Sequence, residues 1–166
     1  MRLRSFAGVG FFLASAFLGL AKADAWDYST DVDKMTGKAV SNAVLTSDKS
    51  LSLSFPYKGE NWAYLVVRQR NGRSDVMVKV QKGQILCRSH SPCDINVRFD
   101  DKPPVKFSGV GSSDHDSTLV FLEPERRFLD GATKAKTILV QVPFYQNGNQ
   151  IMEFSALAPL DMKRVK

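Results

Sequence analysis

Thiols and imidazoles are scarce in this sequence, which has two cysteines and two histidines among 166 residues. Zinc ligand pairs usually lie two to four residues apart, and Cys87 and Cys93, with His90 between them and His115 beyond, do not fit that spacing. Long apolar runs are also missing. The longest, residues 6–20, is about 15 residues, short of the roughly 20 a membrane-spanning helix needs. There is no Gly-x-Ser-x-Gly elbow of the kind that carries a hydrolase nucleophile. Internal repeats, low-complexity linkers and charge blocks are absent too, so nothing divides the chain. Helical periodicity is confined to one segment, which leaves no crossover helices for a parallel sheet.

What is present begins with an export signal. Arg2 and Arg4 precede the apolar stretch, and small residues follow at Ala21, Ala23 and Ala25. This charged, apolar, small-residue order is that of a cleavable secretory leader. Residues 1–25 are therefore expected to be removed, leaving one domain over residues 26–166. Two Ala-x-Ala sites overlap, and the second makes Trp26 the first mature residue. No cysteine follows the apolar run, so a soluble periplasmic or secreted product with no stable membrane anchor is expected. Arg2, Arg4 and Lys22 against Asp24 give the leader +2, leaving +4 of the total +6 for the rest. Those basic residues are scattered among acids and form no basic stripe interleaved with aromatics, so a nucleic-acid partner is not expected.

In an oxidising compartment Cys87 and Cys93 read most simply as a disulfide. Residues 88–92 would then form the tip of a short loop, within the roughly 4.4–6.8 Å between Cα atoms that such a bond requires.

The remaining pattern is that of short strands. Residues 26–50 are weakly patterned, with a turn suggested near Gly37 and a short strand over residues 39–45. Leu51, Leu53 and Phe55 alternate with serines, as a half-buried strand requires, and Pro56 ends that run. Residues 62–67 form a continuous apolar run, read as a strand covered on both faces. Asn71-Gly72 then supplies a two-residue hairpin turn into residues 75–80, with Val76, Val78 and Val80 inward. A second hairpin is expected between residues 83–87 and 95–99 across the disulfide. A turn over residues 100–104, a brief strand at Val105 and Phe107, a loop over residues 109–117 and a strand over residues 118–122 follow. Residues 125–135 read as the one helix, with Pro124 at its start and Lys134 late. Residues 137–144 and 150–156 close the chain as a hairpin around Asn147-Gly148-Asn149, and residues 162–166 read as a frayed tail. About nine short strands and one helix near the C-terminal third predict an all-β fold, an antiparallel sandwich or a barrel-like sheet.

Several dispersed segments carry a family resemblance. They are Trp26 with Asp33 and Met35, Leu65 with Arg68, the run Val97-Arg98-Phe99-Asp100-Asp101, Ser113-x-x-Asp116, the strand from Leu119 to Phe121, Phe128, Pro143-Phe144 and Phe154. In these the chain resembles small secreted bacterial envelope proteins that include the accessory proteins of type VI secretion. The resemblance implies a non-enzymatic accessory or binding protein in the envelope and no catalytic residues; the sequence itself holds no cofactor motif, and no cofactor is expected.

Three groups of residues bear on chemistry. Asp114, His115, Asp116 and Ser117 contain the residue types of a hydrolase triad, but triads are assembled from distant segments, and a polar turn is the expectation. Asp94, Asp100, Asp101, Asp114 and Asp116 are calcium-type ligands without the spacing of a known calcium loop; aspartates of this kind serve turns. Among the aromatics, Phe55, Trp62 and Phe144 are expected in the core. Tyr57 and Tyr145, each beside a proline or a turn, are candidates for a partner-contact patch, with His90 on the disulfide tip. The function expected is that of a periplasmic interaction protein serving a type VI secretion or other envelope assembly. The alternative is a secreted inhibitor or immunity-type protein that inserts the loop between Cys87 and Cys93 into an enzyme.

Overall fold

The computed structural model describes residues 26–165; the leader and its cleavage site lie outside the described residues. Nine strands form one antiparallel sheet: β1 (Asp27–Val32), β2 (Ala39–Thr46), β3 (Ala63–Arg70), β4 (Arg73–Val80), β5 (Cys93–Phe99), β6 (Val105–Gly111), β7 (Leu119–Glu123), β8 (Thr137–Phe144) and β9 (Gly148–Ser155). A helix, α1 (Glu125–Ala132), lies between β7 and β8, and a 3-10 helix, Met162–Val165, ends the described chain. The all-β reading is borne out.

The spatial order is β1-β2-β3-β4-β7-β6-β5-β8-β9. Four strands meander, the chain then crosses two positions, and β5, β6 and β7 return so that β7 pairs with β4. β8 lies beside the first strand of that return, which is the 4-1-2-3 order of a Greek key. Alternation puts one face of every central strand inward: Ala43 and Leu45, Leu65 and Val67, Val78 and Val80, Ile95 and Val97, Val120 and Leu122, Val140 and Val142, Met152 and Phe154 belong to one core. A nine-stranded sheet that buries a single face in one core must curl on itself. Where β1 and β9 would meet, the loop after β2 ties the sheet together instead. Asp48 donates its N–H to the Glu153 carbonyl at 2.8 Å, and its carboxylate accepts the Ser155 N–H at 2.8 Å and the Ser155 hydroxyl at 2.6 Å.

The two ends of the barrel-like sheet differ. At one end α1 lays Phe128 edge-on against Phe99 and Phe107, with ring centroids 5.4 and 6.0 Å away. Gly131 permits that approach, since a Cβ there would stand 2.6 Å from the Phe99 ring. The helix stops at Ala132, short of residue 135, where Thr133 turns its hydroxyl back to the Leu129 carbonyl and so competes with further helix. The opposite end is built of loops, over residues 47–62, 81–92, 112–118 and 145–147.

Six local expectations are corrected. β1 pairs with β2 throughout, yet it is almost wholly exposed and so has no alternation to read. Residues 50–55 form no strand; Leu51 and Leu53 are buried, but a turn closed by the Tyr57 N–H on the Ser54 carbonyl sends Phe55 outward, 76% exposed. Trp62 is half-buried on the outer face, and β3 is covered on one face only. Residues 83–87 do not pair with β5, whose neighbours are β6 and β8, and β6 continues to Gly111. Residues 162–165 are not frayed: Val165 is fully buried, the Asp161 N–H donates to the Tyr28 hydroxyl, and Arg164 stacks 3.9 Å from the Tyr28 ring centre.

Candidate functional site

The loop end is organised by residues that mostly lack their own strand ladder. Asn61 is completely buried and acts as a substitute strand residue. Its amide nitrogen donates to the Lys82 carbonyl at 2.8 Å and its carbonyl oxygen accepts the Lys82 N–H at 2.9 Å, while the Leu51 N–H donates to its backbone carbonyl. The segment after Lys82 then crosses the end of the sheet. Ile85 donates its N–H to the Ser117 carbonyl, Leu86 to Pro143, and Tyr145 donates back to Gln84, at 2.8–3.0 Å. Gly83, at φ +141°, sits where a Cβ would meet the Phe144 ring at 2.9 Å.

Cys87 and Cys93 are joined, with their Cα atoms 4.9 Å apart, as the sequence led one to expect. The bond is not laid across a two-stranded hairpin. It packs on β6, where Gly109 and Gly111 occupy inward positions. A Cβ on Gly109 would stand 2.8 Å from the Cys93 sulfur, and one on Gly111 would stand close upon the Cys87 carbonyl oxygen. The alternation of β6 continues through these glycines, but without side chains they leave no apolar signal in the sequence. The tip is narrow, with Arg88 and Ser91 exchanging backbone hydrogen bonds at 3.0 and 3.3 Å. Arg88, Ser89, His90, Ser91 and Pro92 are all exposed.

Opposite the tip stands the loop of residues 112–118. Asp114 accepts the Ser112 hydroxyl and the Asp116 N–H, and these hydrogen bonds hold its carboxyl below the ordinary carboxylate value. Asp116 accepts the Thr118 hydroxyl at 2.6 Å and the Thr118 N–H at 2.9 Å, which lowers its pKa likewise. His115 is held at φ +63° between them. The four residues read as a possible hydrolase set thus form a polar turn. Ser117 points its hydroxyl at the Gly83 carbonyl, 3.4 Å away, and among the described residues no hydrogen bond joins Ser117 to His115 or His115 to either aspartate.

The calcium-type aspartates are dispersed. Asp94 pairs with Lys106 at 2.7 Å, and Asp100, at the other end of β5, accepts the N–H groups of Lys136 and Thr137. Asp101 is exposed. Among the described residues no group of three or more His, Cys, Asp or Glu is placed to hold a metal ion, and both thiols are consumed by the disulfide.

Tyr145 is 47% exposed on the β8–β9 turn, and Tyr57 is half-buried with its ring against the core. Two further exposed apolar residues, which the sequence reading missed or misplaced, lie on segments hydrogen-bonded to the end of β8 and its turn: Phe55, 76% exposed, and Leu86, 47% exposed. The Ser54 N–H donates to the Asn147 side-chain oxygen at 2.7 Å, and the Leu86 N–H donates to the Pro143 carbonyl at 3.0 Å. Phe55 was hidden from sequence reasoning by its place in a regular alternation; the only contrary signal is the proline that follows it.

Among the described residues no helix is long and apolar enough to cross a membrane. No family model, curated protein or solved structure matches the chain.

Proposed function

We propose that the protein is an exported, non-enzymatic accessory protein of the bacterial envelope that binds a protein partner through its disulfide end. The observation that carries this reading is the grouping of Phe55, Leu86 and Tyr145, three large exposed apolar side chains on three hydrogen-bonded segments. Exposed apolar groups gathered at one place mark contact surfaces, and aromatic residues supply much contact area at small entropic cost. The disulfide supports an oxidising compartment. The leader-like residues 1–25 support export to the periplasm or beyond. The resemblance to type VI secretion accessory proteins supports an envelope assembly as the setting.

The test is retrieval of partners from envelope extract with the wild-type protein, the Phe55→Ser/Tyr145→Ser double variant and a Met35→Ser control. Met35 is 94% exposed on the hairpin between β1 and β2, away from the loop end. A membrane-associated assembly retained by the wild type and the control but lost from the double variant is expected. Equal retention by all three proteins contradicts the reading.

A second reading has its own support in the disulfide tip. Residues 88–92 are exposed and held by both the disulfide and the Arg88–Ser91 pairing, and pre-organising a loop lowers the ordering cost of inserting it into an enzyme cleft. Under that reading the partner is a single soluble enzyme, and His90→Ala weakens its capture more than Phe55→Ser does.

A further inference from the structure

Between the disulfide tip and the loop of residues 112–118 lies a cleft of about 330 Å³. Arg88 and His90 line it from the tip, and Ser112, His115, Asp116 and Ser117 line it from the loop. Both walls are fixed: the disulfide and the Arg88–Ser91 pairing hold the first, and the Asp114 and Asp116 turn bonds hold the second.

The charges on the two walls are not equally available. Asp116 is the one carboxylate in the lining, and it is already engaged by the Thr118 hydroxyl and N–H, with the Lys79 ammonium 4.0 Å away. Asp114 accepts the Ser112 hydroxyl and the Asp116 N–H. Arg88 and His90 have no acidic partner and no side-chain hydrogen bond among the described residues. The cleft therefore presents an unneutralised guanidinium and the His90 imidazole, with Ser89 beside them on the tip, whereas the Ser112 and Ser117 hydroxyls are directed to Asp114 and Gly83. Guanidinium forks match the two oxygens of a carboxylate or phosphate. His115 keeps a left-handed backbone, uncommon for a residue with a side chain.

We infer that this cleft is a binding site for an anionic oxygen group, a carboxylate or a phosphate, with Arg88 as its main ligand and His90 as a second donor. The inference goes beyond protein docking through Phe55 and Tyr145, and it does not depend on that reading.

The test uses the exported, oxidised protein and three probes, followed by amide chemical shifts: a short acetylated peptide with a free C-terminal carboxylate, the same peptide amidated, and inorganic phosphate. Saturable shifts at residues 84–91 and 112–117 are expected with the free peptide or with phosphate and not with the amide. Response to the peptide alone identifies a peptide terminus as the source, response to phosphate alone a phosphate group, and response to both an anion site without that discrimination. Arg88→Ala is expected to weaken binding at least tenfold and His90→Ala less, while Arg126→Ala on α1 leaves it unchanged. Arg88 is exposed and outside the core, so its loss spares the fold, which the unperturbed amides elsewhere would verify. No saturable shift with either anion, or binding that Arg88→Ala leaves intact, overturns the assignment.

Discussion

At the scale of single residues, the loop end depends on groups whose importance lies in what they touch. Asn61 makes two hydrogen bonds to Lys82 that no serine or alanine reproduces. Asn61→Ala leaves a backbone N–H and carbonyl without those partners, and a loss of about 1–3 kcal/mol in urea unfolding is expected. Gly111→Ala drives a methyl group against the backbone at Cys87, which is held by the disulfide and has no rotamer with which to yield. Overpacking of this kind costs about 1–3 kcal/mol; Gly109→Ala meets the tip of the Ile95 side chain and the Cys93 sulfur and is expected to cost less in the same assay. Asp33, Asp114 and Asp116 all have carboxyls lowered by hydrogen bonds to their own turns. A lowered folded pKa adds stability that is complete above the unfolded value of 3.8 and is lost as pH falls through the folded value. Urea midpoints are therefore expected to fall on acidification below about pH 4, and Asp116→Asn is expected to lessen that fall. An identical acid response in the variant contradicts this origin. The asparagine and the glycines were not recognisable in the sequence, because their roles are set by a hydrogen-bonding partner 21 residues distant in one case and by an empty volume in the other.

At the scale of elements, the strands that were legible have one buried face and one exposed face. β4 buries Val76, Val78 and Val80 on its inward face, although Met77 between them is buried as well, and its hairpin with β3 turns on Asn71 and Gly72, both at positive φ, as the sequence led one to expect. β1 lacks a buried face and was invisible, while residues 50–55 have the alternation and no partner strand. Periodicity records burial, and a ladder needs a neighbour; β1 has the second without the first, and residues 50–55 the first without the second. The disulfide was legible from the count and spacing of cysteines, whereas its seat on β6 was not, because residues 109–111 carry two glycines where the pattern required bulk. Closing so short a loop restricts the unfolded chain by about 2 kcal/mol. Replacing both cysteines by alanine is expected to lower stability by that amount in chemical denaturation, with the sheet retained by circular dichroism. Arg88 and His90 are expected to lose their fixed positions, so that anion binding falls further than the stability loss alone would cause.

At the scale of the whole molecule, the all-β, antiparallel nature of the fold followed from spacing, but the order of the strands did not, and their number agreed only because the missed β1 and the unformed strands at residues 50–55 and 83–87 offset each other. The Greek-key crossing depends on which edge β7 and β8 join, and that choice is made by contacts such as Phe128 on Phe99 and Phe107, far apart in sequence. The crossing gathers four loops at one end, where the sequence had offered Tyr57, His90 and Tyr145 as separate candidates. Tyr145 and His90 are exposed there, and Tyr57 is half-buried against the core while Phe55, two residues before it, is exposed. The central proposal is that this end is the working surface. Photo-crosslinking residues placed singly at positions 55, 86 and 145, and for comparison at positions 35 and 157, test it in intact cells. The account predicts one common crosslinked envelope partner from the first three positions and none from the other two. Crosslinking only at 35 or 157, or at no position, would contradict it.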